Sequence, residues 1–398
     1  MSAEDYRTLT CKAITEVDPA QWDALVDRRQ PGAVFVRHAW LAALEASGCV
    51  GRGTGWMPAH LLLHSADGRL VAAAPRYRKS HSFGEYVFDW AWADAFERHG
   101  LAYYPKWLVA VPFTPVEGPR LLARDAPARE ALAAALVAEA IASGLSSLHV
   151  LFPPAEQAAR LERGGLMLRH GVQFRWSNRG YRDFDHFLSA LAQPKRKKIR
   201  AERRRVAQAG VTSERIAGAA ITPAHWRLFD ACYRNTYAEH GSTPYLNLDF
   251  FERIGRDMPE ACVLNIASRH GRAIAASMLV RDDDRLYGRY WGALERVDCL
   301  HFELAYYQSI EAAIALGLAH VEGGAQGEHK LARGFEAIRT TSCHWIAEPA
   351  FADAVDAFLR REDVMLDGYL NELHERAPFR NGVEPGAGHG RKARGEPG

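Results

Sequence analysis

The sequence is short of lysine, of paired cysteine and of long apolar runs. Only eight of its 50 basic residues are Lys, and the other 42 are Arg. With a bias this strong, the positions that keep Lys are worth following, because the two side chains differ in pKa range and geometry. Lys195, Lys197 and Lys198 lie together, and Lys330 stands alone between Lys198 and Lys392. The six cysteines, Cys11, Cys49, Cys232, Cys262, Cys299 and Cys343, form no CxxC pair. In a chain of this size that speaks against a disulfide framework and leaves reduced, buried thiols as the expectation. There is no HExxH and no Cys/His cluster at zinc spacing, so no metal is expected. No run of about 18 apolar residues exists, which excludes a spanning helix. The opening MSAEDYRTLT lacks the basic and apolar regions of a signal peptide, and a cytoplasmic protein is expected. A net charge of +2 over 398 residues excludes a chain coated with positive charge for general nucleic-acid binding.

The positive charge is concentrated instead. QPKRKKIRAERRRVAQAG, residues 193–210, holds eight Lys or Arg and one acid, Glu202. As a helix it would turn Ile199, Val206 and Ala207 inward. Pairs at i,i+4 cannot neutralise so many cations, so an anionic partner is expected.

A length of 398 residues suggests two domains, and one pattern occurs twice. Residues 59–79 read as two strands joined at Asp67-Gly68, and 261–284 as two strands joined at His270-Gly271. Extended aromatic segments follow: GEYVFDWAW and WLVAVPFTPV in the first half, RLYGRYWGAL in the second. A helix comes next, 125–144 or 301–317, each ending at a glycine. Short strands then close each unit, LSSLHVLF and LAHVEGG. The second half adds helices at TPAHWRLFDACYRNTYAEHG and LNLDFFERIGRDM. Two helices, a meander, a long helix and a closing strand is the order of the GNAT acyltransferase fold. The expected fold class is α/β (α+β), two tandem GNAT-like domains with mixed central sheets. The domains are expected at 1–178 and 179–376, with a disordered tail over 377–398.

Several motifs resemble those of the FemAB-like N-acyltransferases, a group related to the Fem aminoacyltransferases of peptidoglycan cross-bridges. PKRKKIRAERRRVAQAGV is similar to the Fem pattern in Arg196, Ile199-Arg200 and Gly210-Val211. GGAQGEHKLARGF (323–335) and HSFGEYVFDWAW (81–92) resemble the FemAB-like subgroup more closely. The likeness spans most of Ala20–Trp345. Two positions depart from the Fem pattern: Ala332 stands where Fem proteins have Lys, and Glu336 replaces a Gly. The resemblance implies transfer of an acyl or aminoacyl group to an amine. Aminoacyl-tRNA or acyl-CoA would be the co-substrate, with no tightly bound cofactor. The acceptor would be a small or peptidyl amine.

Such chemistry must align a neutral amine with an activated carbonyl, stabilise the oxyanion and accept a proton. In this fold the site opens where RLYGRYWGAL and HVEGGAQ part. That singles out Glu328, His329 and Lys330 as catalytic candidates, with Arg333 to hold an oxyanion, phosphate or carboxylate. Arg289 sits among aromatics and needs an anionic partner; Tyr290 and Trp291 would wall the site. Arg196, Lys197 and Arg200 would bind phosphate. His81, Glu85, Asp89, Tyr103 and Tyr104 belong to a dense polar and aromatic run that suits a sugar, peptide or nucleobase. For CoA, the nearest phosphate-loop match is RYWGAL (289–294), which ends in Leu294 rather than a small residue. A rival reading is a non-catalytic RNA- or peptidoglycan-precursor-binding protein.

Overall fold

The computed structural model describes residues 6–325, 327–376 and 378–380. Its strands are β1 Tyr6–Cys11, β2 Trp56–Pro58, β3 His60–Ser65, β4 Leu70–Ala74, β5 Arg76–Lys79, β6 Lys106–Val109, β7 Leu122–Ala123, β8 Ser147–Leu151, β9 Met167–Ser177, β10 Val211–Ala217, β11 Cys262–Arg269, β12 Arg272–Arg281, β13 Arg285–Ala293, β14 His320–Gly324 and β15 Glu336–Ile346. Eleven of them form one sheet in the order β10-β11-β12-β13-β14-β9-β15-β8-β6-β5-β2, and β1-β3-β4-β7 form a second.

Each half carries the GNAT arrangement. In the second, β10 to β13 are an antiparallel meander, and β13 then runs parallel to β14. In the first, β5 and β6 are antiparallel and β6 runs parallel to β8. The fold is α/β with two tandem GNAT-like units, and the units share their closing strands. β9, from the first half, pairs with β14 of the second. β15, from the second, pairs with β8 of the first. β9 and β15 also pair with each other along most of their length.

Local chemistry explains most elements. His270 and Gly271 both take positive φ, as the two-residue turn of a hairpin requires. Helix Ala126–Ser143 is capped by the Asp125 carboxylate and ends at Gly144, φ 66°. Helices Pro223–Glu239 and Leu248–Asp257 are capped by Thr222 and Asn247. Two expectations need correction. GEYVFDWAW is not a strand: residues 84–89 are turn and irregular chain, and helix Trp90–Arg98 follows, because Trp92 and Phe96, one turn apart, bury a common face. The helix read over 301–317 is interrupted by a π turn at Glu303–Tyr307. Near that turn the Leu304 carbonyl accepts hydrogen bonds from Asn265 (3.2 Å) and Ser277 (3.1 Å). Helix Pro349–Glu375, which the sequence pattern did not single out, packs on β9 and β15. Of the tail 377–398, only Pro378–Arg380 are described; Phe379 bridges to Leu191, and the rest lies outside the described residues.

Candidate active site

Strands β13 and β14 pair only from Arg285↔His320 to Tyr287↔Glu322. Beyond Tyr287 they part, and a cavity of about 220 Å³ opens between them. Its walls include Arg289, Tyr290, Trp291, His301, Tyr306 and Phe335. Gly323 has no side chain here because a Cβ would meet the Phe335 ring at 2.9 Å. Gly292 serves packing rather than a phosphate loop: a Cβ there would lie 1.9 Å from the Cys232 carbonyl. The segment after β13 also carries Glu295, which binds Arg269 and Arg272.

The motif 323–335 leaves β14 beside this cavity and winds into a 3-10 helix, Glu328–Arg333. Gly327 takes φ 97°, and a Cβ on it would strike the His329 ring at 2.3 Å. The glycine thus lets His329 fold back. Its Nε2 lies 3.1 Å from the Tyr306 hydroxyl, and its ring stands near Phe302 and His301. Burial, then the cations Arg333 and Lys330, push the imidazole below its usual pKa. Burial and His329 lower His301 further, to about 4. Lys330 is buried, its Nζ 3.5 Å from the Gly324 carbonyl, and burial lowers its pKa to about 8. Of these three groups His301 lines the cavity and His329 touches its wall at Tyr306; at neutral pH the two imidazoles are neutral and Lys330, at about 8, stays mainly charged.

Two expected site residues have other work. Glu328 is spent on the C-terminal helix: it pairs with Arg376 (2.8 Å) and accepts from the Tyr369 hydroxyl (3.1 Å). Arg333 is not available for an oxyanion or phosphate. It is 2% exposed, donates to both oxygens of Glu202 (2.8 and 2.9 Å), to the Tyr307 hydroxyl (3.1 Å) and to the His329 carbonyl (2.7 Å), and lies 3.5 Å over the Phe302 ring. Glu202 also accepts from Tyr307. The one acid of the basic run is therefore the buried anchor of the motif loop. Its signal was present: Glu202 lies three residues after Ile199 and four before Val206, on the inward face where a charge needs a partner. Ala207, expected inward, is exposed.

The basic run forms helix Gln193–Gln208. Arg203 binds Glu303 and Glu311, Arg200 pairs with exposed Asp185, and Arg196 donates to the Ser189 carbonyl. Lys197, Lys198, Arg204 and Arg205 are exposed. A groove of about 570 Å³ runs alongside, lined by Arg182, Arg200, Arg203 and Arg204 over apolar Leu188 and Ile314.

The acids of the other dense run do not form a ligand wall. Lys106, with no exposure, donates to Ser82 (2.8 Å), Glu85 (2.9 Å) and Asp89. Tyr103 donates to Asp89 (2.6 Å) and meets His149, whose Nδ1 lies 2.7 Å from that of His344. Glu85, Asp89 and Tyr103 are thus closed into an internal ion cluster because a buried lysine needs paired acids. Tyr104 is held by Ser82 (2.8 Å), and half-buried His81 by the Thr54 carbonyl (3.1 Å).

Among the described residues no group of His, Cys, Asp or Glu could hold a metal ion, and no helix is long and apolar enough to cross a membrane.

No curated protein matches the sequence. Solved structures resemble the fold at low identity. The C-terminal domain assigned to a lysylphosphatidylglycerol synthetase of Agrobacterium fabrum matches at TM-score 0.54 and 11% identity, over 87% of this chain and 97% of that one. FemX matches at TM-score 0.53 and 11% identity, over 87% and 99%. A conserved protein of unknown function from Bacteroides thetaiotaomicron matches at 0.51 and 12%, over 85% and 100%. A family model, FemAB-like, described as peptidoglycan biosynthesis and recognition, matches residues 13–381. Nearly the whole chain, including both motifs that meet at the Glu202–Arg333 pair, falls within that match: the protein belongs to the FemAB-like family.

Proposed function

We propose that this protein is an N-acyltransferase that moves an aminoacyl group from aminoacyl-tRNA to the amine of a small or peptidyl acceptor. The observation that carries this reading is the cavity between β13 and β14, whose wall residue Tyr306 lies 3.1 Å from His329 of the family motif. The acceptor amine attacks the acyl carbonyl; an N–C bond forms and the ester C–O bond of the donor breaks. Strand edges freed where β13 leaves β14 offer backbone N–H groups to the oxyanion. His329, neutral because of its surroundings, takes the amine proton, with Tyr306 in hydrogen-bond contact, and the proton passes to the departing ribose oxygen. Lys330 holds the Gly324 carbonyl at the end of β14 and adds positive charge near the oxyanion.

The exposed cations of Gln193–Gln208 favour tRNA, since phosphate contacts dominate nucleic-acid affinity. Gly292 and Glu295 disfavour a CoA pyrophosphate at the end of β13. A tRNA donor implies a cytoplasmic protein. The test is a donor comparison, charged tRNA against acetyl-CoA, with mass spectrometry of the acylated amine. Turnover with acetyl-CoA alone would overturn the tRNA assignment, and no transfer from either donor would overturn the enzyme reading.

A further inference from the structure

Arg289 lies between two adjoining cavities. It lines the 220 Å³ cavity between β13 and β14 and, with Gly288 and Glu322, also lines a narrow neighbour. That neighbour shares Gln173 and Thr340 with a groove of about 180 Å³ beside Tyr86–Phe88. Arg289 thus stands between the cavity of the parted strands and its narrow neighbour.

Arg289 is charged and incompletely satisfied. Its Nη2 donates to the Phe113 carbonyl (2.6 Å) and the Tyr290 hydroxyl (3.2 Å). Its Nε is buried without a hydrogen-bond partner, and it makes no ion pair among the described residues. Neither acid on the same walls pairs with Arg289 among the described residues. Glu322 binds Arg175 (2.7 Å) and Arg285 (2.8 Å). Burial raises the pKa of Glu117 against the pull of Arg175 and so favours its neutral form on this wall. Arg120 shows how this chain treats a structural arginine: fully buried, it donates to the carbonyls of Leu151, Val116 and Pro119 through all three nitrogens. A half-buried guanidinium with uncommitted donors, facing a cavity, lacks that closure and suits an anion.

We propose that Arg289 binds a carboxylate of the acceptor, so that the acceptor is an amine bearing a free carboxylate, such as an amino acid or a short peptide with its C-terminus open. This rests on the acyl-transfer reading for its place in the reaction, but the binding it asserts stands apart from turnover. Size favours a carboxylate over a nucleotide phosphate, since about 220 Å³ falls below the roughly 300–1,000 Å³ of pockets for larger ligands. Carboxylate capture here would hold the amine at the junction with the parted strands, where the acyl carbon would lie.

The test is calorimetric binding of L-alanine and glycylglycine, each against its C-terminal amide, and of inorganic phosphate, to the full chain. The acids are expected to bind at least about 30-fold tighter than the amides, the lower end for one lost partner of a hydrogen-bonded charge pair. Arg289→Gln should remove that difference, and Arg289→Lys should keep part of it. Equal binding of acids and amides, a preference that survives Arg289→Gln, no binding of any acid, or tighter Arg289-dependent binding of phosphate would each overturn the proposal. Absence of turnover with every donor, while the acid preference persists, would count against the acyl-transfer reading alone.

Discussion

Strands β6 and β8 in the first half, and β13 and β14 in the second, each pair in parallel over three positions and then part. What fills the gap differs. In the first half the chain closes it with its own backbone. Gly118 donates to the Phe152 carbonyl, and buried Arg120 donates to the Leu151 carbonyl at the end of β8. At the other end of β6, Lys106, Glu85 and Asp89 form a buried ion cluster. In the second half the gap stays open as a cavity, and the arginine on its wall keeps donors uncommitted. The same strand geometry can thus be a keystone or a site. What separates the two is the arginine at each parting point: Arg120 spends all three nitrogens on carbonyls, whereas the Arg289 Nε has no partner.

The sharpest break of this comparison is at the mouth of the open gap. His329→Ala should lower kcat by about 10²- to 10⁴-fold, the usual span for a lost general base, with little change in Tm; His149→Ala, in the closed half, should leave donor-acceptor kinetics of the folded protein unchanged. Steady-state rates with charged tRNA read both, and a comparable kcat loss in His149→Ala would erase the distinction. Lys106→Met should cost about 3–5 kcal/mol of stability, because it strands two buried carboxylates, seen as a lower denaturation midpoint. Folded Lys106→Met protein with unchanged stability and lost turnover would move function to the first half.

Lys330→Met sharpens the contrast through pH. Burial holds the folded-state pKa of Lys330 at about 8, below the unfolded value. The unfolded chain then binds the extra proton between those values, so the lysine's stability cost is full below about pH 8 and fades as pH rises toward 10.4. The variant should therefore melt higher than wild type at pH 7, with the gap closing at alkaline pH in thermal melts. The smallest effect is expected on the basic helix. Replacing exposed Lys197 and Lys198 by Ala should weaken tRNA binding and flatten the log K against log salt slope by about 0.7–0.9 per residue. An unchanged slope would remove the helix from the donor site.

Much of this was legible in the chain. The hairpin turns, the starts of the helices near Asp125, Thr222 and Asn247 and the glycine stops all act within a few residues, and each stands where the sequence put it. The parting strands and the motif loop followed from the order of elements. The errors came where a residue's partner is distant in sequence. Glu85 and Asp89 read as ligand groups until Lys106 supplied their counter-charge. Arg333 read as a free cation until Glu202, 131 positions earlier, took its donors. Glu202 itself was visible as the lone acid of the basic run, on the same helix face as Ile199 and Val206, and that was the clue to follow.

By itself, then, the amino-acid sequence determined two repeats of one α/β pattern, their capped helices and turns, and the family motifs, because these depend on local propensity and short-range periodicity. Only the tertiary structure decided that β9 and β15 close each other's sheets, that one parting point is sealed and the other open, and which cations are already paired. Those outcomes depend on long-range strand pairing and on which buried charges meet, and neither is written in any short stretch of chain.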